Sequence, residues 1–93
     1  MYTIYKYKIN PENFSNISKV EMPHDAKILS VDSQNNEVFV CAEVDTESSV
    51  LIKMFEVFGT GHEIKYGMGT KKEIIGKVFL DNSLVFRIYE RKN

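Results

Sequence analysis

Residues 26–44 read AKILSVDSQNNEVFVCAEV, and this stretch decides the fold. Two runs rich in Val, Ile, Leu and Phe flank the short polar segment Gln34-Asn35-Asn36. β-Branched and aromatic side chains suit a pleated, half-buried strand. Asn tolerates the positive φ that tight hairpin turns demand. The pattern predicts a hairpin with one strand over residues 26–33 and its return over 37–44. Strict alternation in the first arm puts Leu29 and Val31 on one face and Ile28 and Ser30 on the other. Cys41, among Val38, Phe39, Val40 and Ala42, is expected to be a small buried hydrophobe.

The same signal recurs on both sides. Residues 2–9, YTIYKYKI, place Ile4, Lys6 and Lys8 on one face and Tyr5, Tyr7 and Ile9 on the other. Asn10-Pro11-Glu12-Asn13 ends that run, and Pro11 can open one short helical turn reaching Phe14. Residues 17–22 form a second strand, anchored by Ile17 and Val20 and stopped by Pro23-His24-Asp25. After the polar loop at residues 45–49, residues 50–58 read VLIKMFEVF. Leu51, Met54, Phe55 and Phe58 have helical spacing, but the strand-forming composition and the glycine pair that follows favour a strand. Residues 59–73 hold four of the five glycines and no apolar period. Residues 74–80 and 84–90 flank Asp81-Asn82-Ser83 as a second hairpin, and Arg91-Lys92-Asn93 reads as a solvated tail. About seven short strands imply one all-β domain over residues 1–93: a small antiparallel sandwich or partly open barrel with a long glycine-rich loop.

Composition bounds the function. A chain of 93 residues is one domain, and it buries only about 60–65% of its unfolded surface, so its core is thin. One cysteine allows neither an internal disulfide nor a cysteine-based zinc site, and a free thiol fits a reducing cytoplasm. Oligomerisation, as a dimer or tetramer, is the expected compensation for the thin core. There is no basic-then-apolar leader and no apolar stretch near the ~20 residues that cross a bilayer. The formal net charge of -1 argues against polymeric DNA or RNA as a partner, although a small anion needs only local charge. No P-loop, Rossmann fingerprint or HExxH pattern is present, and His24 and His62 have no metal-ligand spacing. No catalytic residues, metal or cofactor are therefore expected, and the chain is expected not to be an enzyme.

The segment best suited to binding is Phe58-Gly59-Thr60-Gly61-His62-Glu63. Glycines permit amides to converge on an anion, Thr60 adds a hydroxyl, and His62 can donate to a phosphate or a base edge. A plain glycine turn capped by Thr60 and His62 has equal claim. Arg87 and Lys6 are candidate phosphate cations, and Tyr5, Tyr7 and Tyr89 are candidate stacking faces. Half-buried tyrosines beside solvated cations account for the same residues. Met22 and Pro23 can supply an apolar wall. Lys65, Lys71 and Lys72 make the segment after the glycines either a basic lid or a solvated loop.

Four blocks, IYKY (residues 4–7), VEMPHDAKILSVDSQN (20–35), FGTGHEI (58–64) and LVFRIYE (84–90), occur in the order of a widespread group of small bacteriophage proteins. The chain resembles that group over most of its length, most specifically in the M-P…A…L-x-V and G-T-G-H blocks. The group is similar in turn to the phage sponge proteins that counter CBASS, an antiphage defence signalled by cyclic oligonucleotides. This resemblance implies capture, without cleavage, of a cyclic dinucleotide such as 3′,3′-cyclic GMP–AMP in the cytoplasm of an infected bacterium. It implies Gly59, Thr60, Gly61 and His62 as contacts and a pocket between subunits. The alternative is a phage adaptor that acts on a host protein and has no small ligand.

Overall fold

The computed structural model describes residues 1–10, 16–80 and 84–92. Among them, seven strands follow in order: β1 (Tyr2–Ile9), β2 (Ile17–Pro23), β3 (Lys27–Gln34), β4 (Glu37–Asp45), β5 (Val50–Gly59), β6 (Lys71–Leu80) and β7 (Leu84–Lys92). They form two sheets, ordered β1-β4-β3 and β2-β5-β7-β6. Every pairing is antiparallel. The architecture is a β-sandwich, not a closed barrel.

The central hairpin forms, but Gln34, expected in its turn, belongs to β3. Gln34 pairs with Glu37, which leaves Asn35 and Asn36 as a two-residue turn with φ of 53° and 60°. Positive φ at both central residues matches the twist of the flanking strands. In β4, Val38, Val40, Ala42 and Val44 point inward and are buried. Val38 and Val40 meet Val20, Met22, Phe55, Val78 and Ile88 from the other sheet, and Phe55, Met22 and Ile88 have no exposed surface. Truncating a fully buried Phe such as Phe55 to Ala costs about 3–5 kcal/mol.

Alternation fails at one place. A bulge between Ile28 and Ser30 inserts an extra residue into β3. Ile28 and Val31 therefore both pack on the core, while Leu29 is exposed, contrary to the expected pairing of Leu29 with Val31. A bulge shifts the parity of everything beyond it. A second bulge lies between Ile74 and Gly76 in β6, and there a Cβ on Gly76 would overlap Cγ2 of Val31. The two sheets meet most closely at this β3–β6 seam.

Cys41 is not a core residue. Val40 and Ala42 take the inward positions, so Cys41 faces outward opposite Lys6 and Ser30. Its thiol donates to Oδ2 of Asp32 at 3.3 Å. Burial pushes the thiol pKa up, and the bond to Asp32 adds to the effect.

Two boundaries also differ from expectation. β6 begins at Lys71, so the glycine-rich loop spans only residues 60–70. β7 continues to Lys92, so Arg91 and Lys92 are strand residues and not a tail. Each extension supplies the other's partner, Lys71 to Lys92 and Lys72 to Arg91. Helical spacing in residues 50–58 is not realised, because β5 is held between β2 and β7. The expected helical turn from Pro11 to Phe14, the turn Asp81-Asn82-Ser83 and Asn93 lie outside the described residues.

Candidate functional site

Period-two alternation along β5 turns Phe55 and Val57 toward the core and leaves Glu56 and Phe58 on the outer face of the four-stranded sheet. Register places Tyr89 opposite Glu56, Arg87 opposite Phe58, and Lys72 opposite Arg91. An outer face would ordinarily be wet, yet Phe58 is 4% and Glu56 5% exposed. The chain between β5 and β6, which folds back over this face, covers them.

Two tight turns shape that loop. His62 N–H donates to the Gly59 carbonyl at 3.1 Å, and Thr70 N–H donates to the Gly67 carbonyl at 3.0 Å. The third residue of each turn is a glycine with positive φ, 91° at Gly61 and 76° at Gly69, a conformation that glycine adopts without penalty. Lys72 fastens the loop to the sheet. Its Nζ donates to the Lys65 carbonyl at 2.6 Å and to Oε2 of Glu56 at 3.1 Å. The same Nζ lies 5.3 Å from the Phe58 ring centre and 5.1 Å from that of Tyr66. The Lys72 and Glu56 side chains are 4% and 6% exposed, so this is a buried ion pair.

A cavity of about 620 Å³ opens beneath the loop, lined by Glu56, Phe58, His62, Lys65, Lys72 and Arg91 among others. Two buried polar atoms of its lining residues have no hydrogen-bond partner: Oε1 of Glu56 and Nε of Arg91. Buried polar atoms are nearly always paired, so these two mark the least satisfied part of the floor under the loop. His62 supplies a donor. Its Nδ1 accepts the Gly59 N–H at 3.0 Å, which assigns the proton of the neutral ring to Nε2. The site thus combines three cations, two carboxylates (Glu56 and Glu63), the His62 imidazole and the Phe58 ring.

A family model for a domain of unknown function, DUF7352, matches residues 1–93. The chain belongs to the DUF7352 family. No curated protein and no solved structure matches it.

In this DUF7352 domain the residues singled out by sequence fall into separate places. Gly59, Thr60, Gly61 and His62 make one tight turn at the cavity rim, and the amides of Gly59 and His62 bond within that turn. Arg87 and Tyr89 share the cavity's face of the sheet. Tyr89 packs edge-on against Phe58, with ring centres 5.6 Å apart. Lys6, Tyr5 and Tyr7 lie on β1 of the other sheet. Lys6 donates to Gln34 and sits over the Phe39 ring, while Tyr5 and Tyr7 pack edge to face. Met22 is fully buried in the core and Pro23 is buried at the end of β2. His24 lies at the β2–β3 corner, against the Ser49 carbonyl.

Glu56 and Arg91 were not singled out by sequence reasoning. A signal existed: Lys53 and Glu56 are the two charges inside an otherwise apolar strand. Lys53 lies 3.8 Å from Glu90 and Glu56 pairs with Lys72, so each marks a buried charge contact. Among the described residues, no group of three or more His, Cys, Asp or Glu could hold a metal ion, and no helix is long and apolar enough to cross a membrane.

Proposed function

We propose that this chain is a non-enzymatic bacteriophage protein that captures a cyclic dinucleotide, such as 3′,3′-cyclic GMP–AMP, and withholds it from a host antiviral response. One observation carries the reading: the cavity beneath the glycine loop, lined by Arg91, Lys72, Lys65 and His62. Arginine, lysine and imidazole donors suit phosphate oxygens, and the Phe58 ring in the same lining suits a base. Capture needs no nucleophile. It needs affinity, and nanomolar binding corresponds to about 12.3 kcal/mol. Two copies of the chain around a two-fold axis would use each contact twice on a pseudo-symmetric ligand. The proposed oligomer serves binding in this way as well as stability.

The test mixes purified protein with a panel of cyclic di- and trinucleotides, removes the free fraction, heat-denatures the protein and analyses what is released. Intact nucleotide is expected. Cleaved nucleotide would make the protein a phosphodiesterase, and an empty eluate would sink the reading. The exposed apolar side chains Val50, Ile52 and Phe79 favour a second reading, a docking module for a host protein. Under that reading, partner capture survives replacement of Thr60 and His62 by Ala.

A further inference from the structure

We infer that β2 is a self-pairing edge, and that two copies of this chain join there, β2 against β2, into one continuous eight-stranded sheet. The inference gives the two-fold assembly proposed above its interface, and it does not depend on the ligand. Among the described residues, the two sheets leave four edge strands: β1, β3, β2 and β6. An unpaired edge is a template for another strand. β3 and β6 carry bulges, which break the regular spacing that an added strand needs. β1 is regular but carries Lys6 and Lys8 and no carboxylate, so a second β1 brings it no opposite charge. β2 is regular and carries one charge of each sign, Lys19 and Glu21, both exposed.

The backbone sets which groups of β2 face outward. Val57 N–H donates to the Asn16 carbonyl at 3.0 Å, and His24 N–H donates to the Ser49 carbonyl at 3.0 Å. Residues 16 and 24 thus turn toward β5, and alternation turns 18, 20 and 22 the same way. The amides and carbonyls of Lys19 and Glu21 are left at the free edge. Pro23, next in that set, has no N–H and ends the donor row, as prolines on edge strands do. A two-fold axis through Val20 sets Lys19 opposite the partner's Glu21, and Glu21 opposite the partner's Lys19. Each pair then exchanges two backbone bonds and closes an ion pair on the outer face, where Lys19 and Glu21 neighbour Met54 and Ile52. An axis through Lys19 or through Glu21 sets like charges opposite each other. A register one residue off turns the buried face of one copy outward. Val20 satisfies both charge and parity.

A second observation marks the same side of the molecule. Tyr5 lies opposite the fully buried Ala42 and so points inward, yet it is 47% exposed. β1 and β2 face each other across the sandwich at this edge, and the side between them is open. Joining two copies at β2 brings the open sides together and covers both Tyr5 rings. The assembly also places the cavities. Asn16 and Ile17 belong to the cavity lining, so the two cavities lie on one outer face, related by the axis. The same register sets Asn16 opposite the partner's His24, and each copy contributes an imidazole beside the other's cavity.

The test measures self-association of the full chain by analytical ultracentrifugation with no nucleotide present. Wild type is expected to be a dimer, at twice the chain's 10.8 kDa. Lys19→Glu and Glu21→Lys each oppose like charges twice, and each is expected to weaken the dimer at least about tenfold. Mixing the two variants restores both ion pairs and is expected to give a heterodimer. The double charge swap in one chain is expected to dimerise like wild type. If either single variant fails to fold by circular dichroism, hydrogen exchange of the wild type carries the test, with the Lys19 and Glu21 amides protected in the dimer. A monomeric wild type, a dimer that both single variants leave unchanged, or unprotected amides at Lys19 and Glu21 overturns the interface and leaves the cavity's ligand standing. An empty eluate from the nucleotide panel overturns the ligand, and a dimer with these responses still upholds the interface.

Discussion

Replacing Lys72 by Met tests whether the glycine loop and the outer sheet face form one buried unit. The substitution keeps the side-chain stem against Phe58 and deletes only the ammonium. Glu56, 5% exposed, then loses its ionic partner, and the Lys65 carbonyl loses its 2.6 Å donor. Removing one partner of a buried pair costs about 3–5 kcal/mol. The loop of residues 60–70 covers this pair, so local opening can rehydrate Glu56 and limit the loss to about 2–3 kcal/mol. For a domain of this size, each kcal/mol lowers Tm by roughly 4–8 °C. A fall of about 10–20 °C is therefore expected in a thermal melt followed by circular dichroism. Adding Glu56→Leu removes the stranded charge, and the double variant is expected to recover more than half of the loss. A solvated surface pair contributes at most ~1 kcal/mol. A Lys72→Met melt within about 2 °C of wild type, with no coupling to Glu56→Leu, would refute the buried pair and the cavity built on it.

Other outcomes follow from single contacts. Gly76→Ala places a methyl against Val31 at the β3–β6 seam. It is expected to destabilise urea unfolding by about 1–2 kcal/mol, an overpacking cost reduced by the lower chain entropy of Ala, and Val31→Ala in the same chain should restore most of it. Asn35→Val forces a β-branched residue to φ of 53°, with an expected loss of about 1–2 kcal/mol in the same assay. The Cys41 pKa is raised above its ordinary 9.0, first by burial and then by the bond to Asp32. Raising a thiol pKa lowers the thiolate fraction, so iodoacetamide should label Cys41 more slowly at pH 8 than an unfolded control, and the gap should narrow as pH rises past 9.

The parts of the fold that are local in sequence were legible in it. Asn35-Asn36 between two apolar runs marked the turn of the central hairpin, because its φ demands fall on those two residues; its register was not legible, since Gln34 belongs to β3 and not to the turn. Phe58–Glu63 was legible as a turn for the same reason, since Gly61 supplies the positive φ. Parity at Leu29 was not legible, because the bulge reflects how β3 meets β6 across the sandwich. The cavity was legible only at its rim. Its floor joins Glu56, Lys72 and Arg91 from three strands, and their meeting depends on β7 inserting between β5 and β6. Nothing within any one segment encodes that insertion. Lys72 was grouped with the loop and Arg91 with a solvated tail, although the two pair within the strands.

The central claim, that the cavity beneath residues 60–70 is the nucleotide site, is tested most directly by titrating isotope-labelled protein with 3′,3′-cyclic GMP–AMP and following its backbone amides by NMR. The account predicts perturbations centred on Asn16, Glu56, Phe58, His62, Lys65, Lys72 and Arg91, with β1 and β3 unmoved. An unperturbed spectrum, or perturbations centred on Tyr5, Lys6 and Tyr7 of β1, would contradict it.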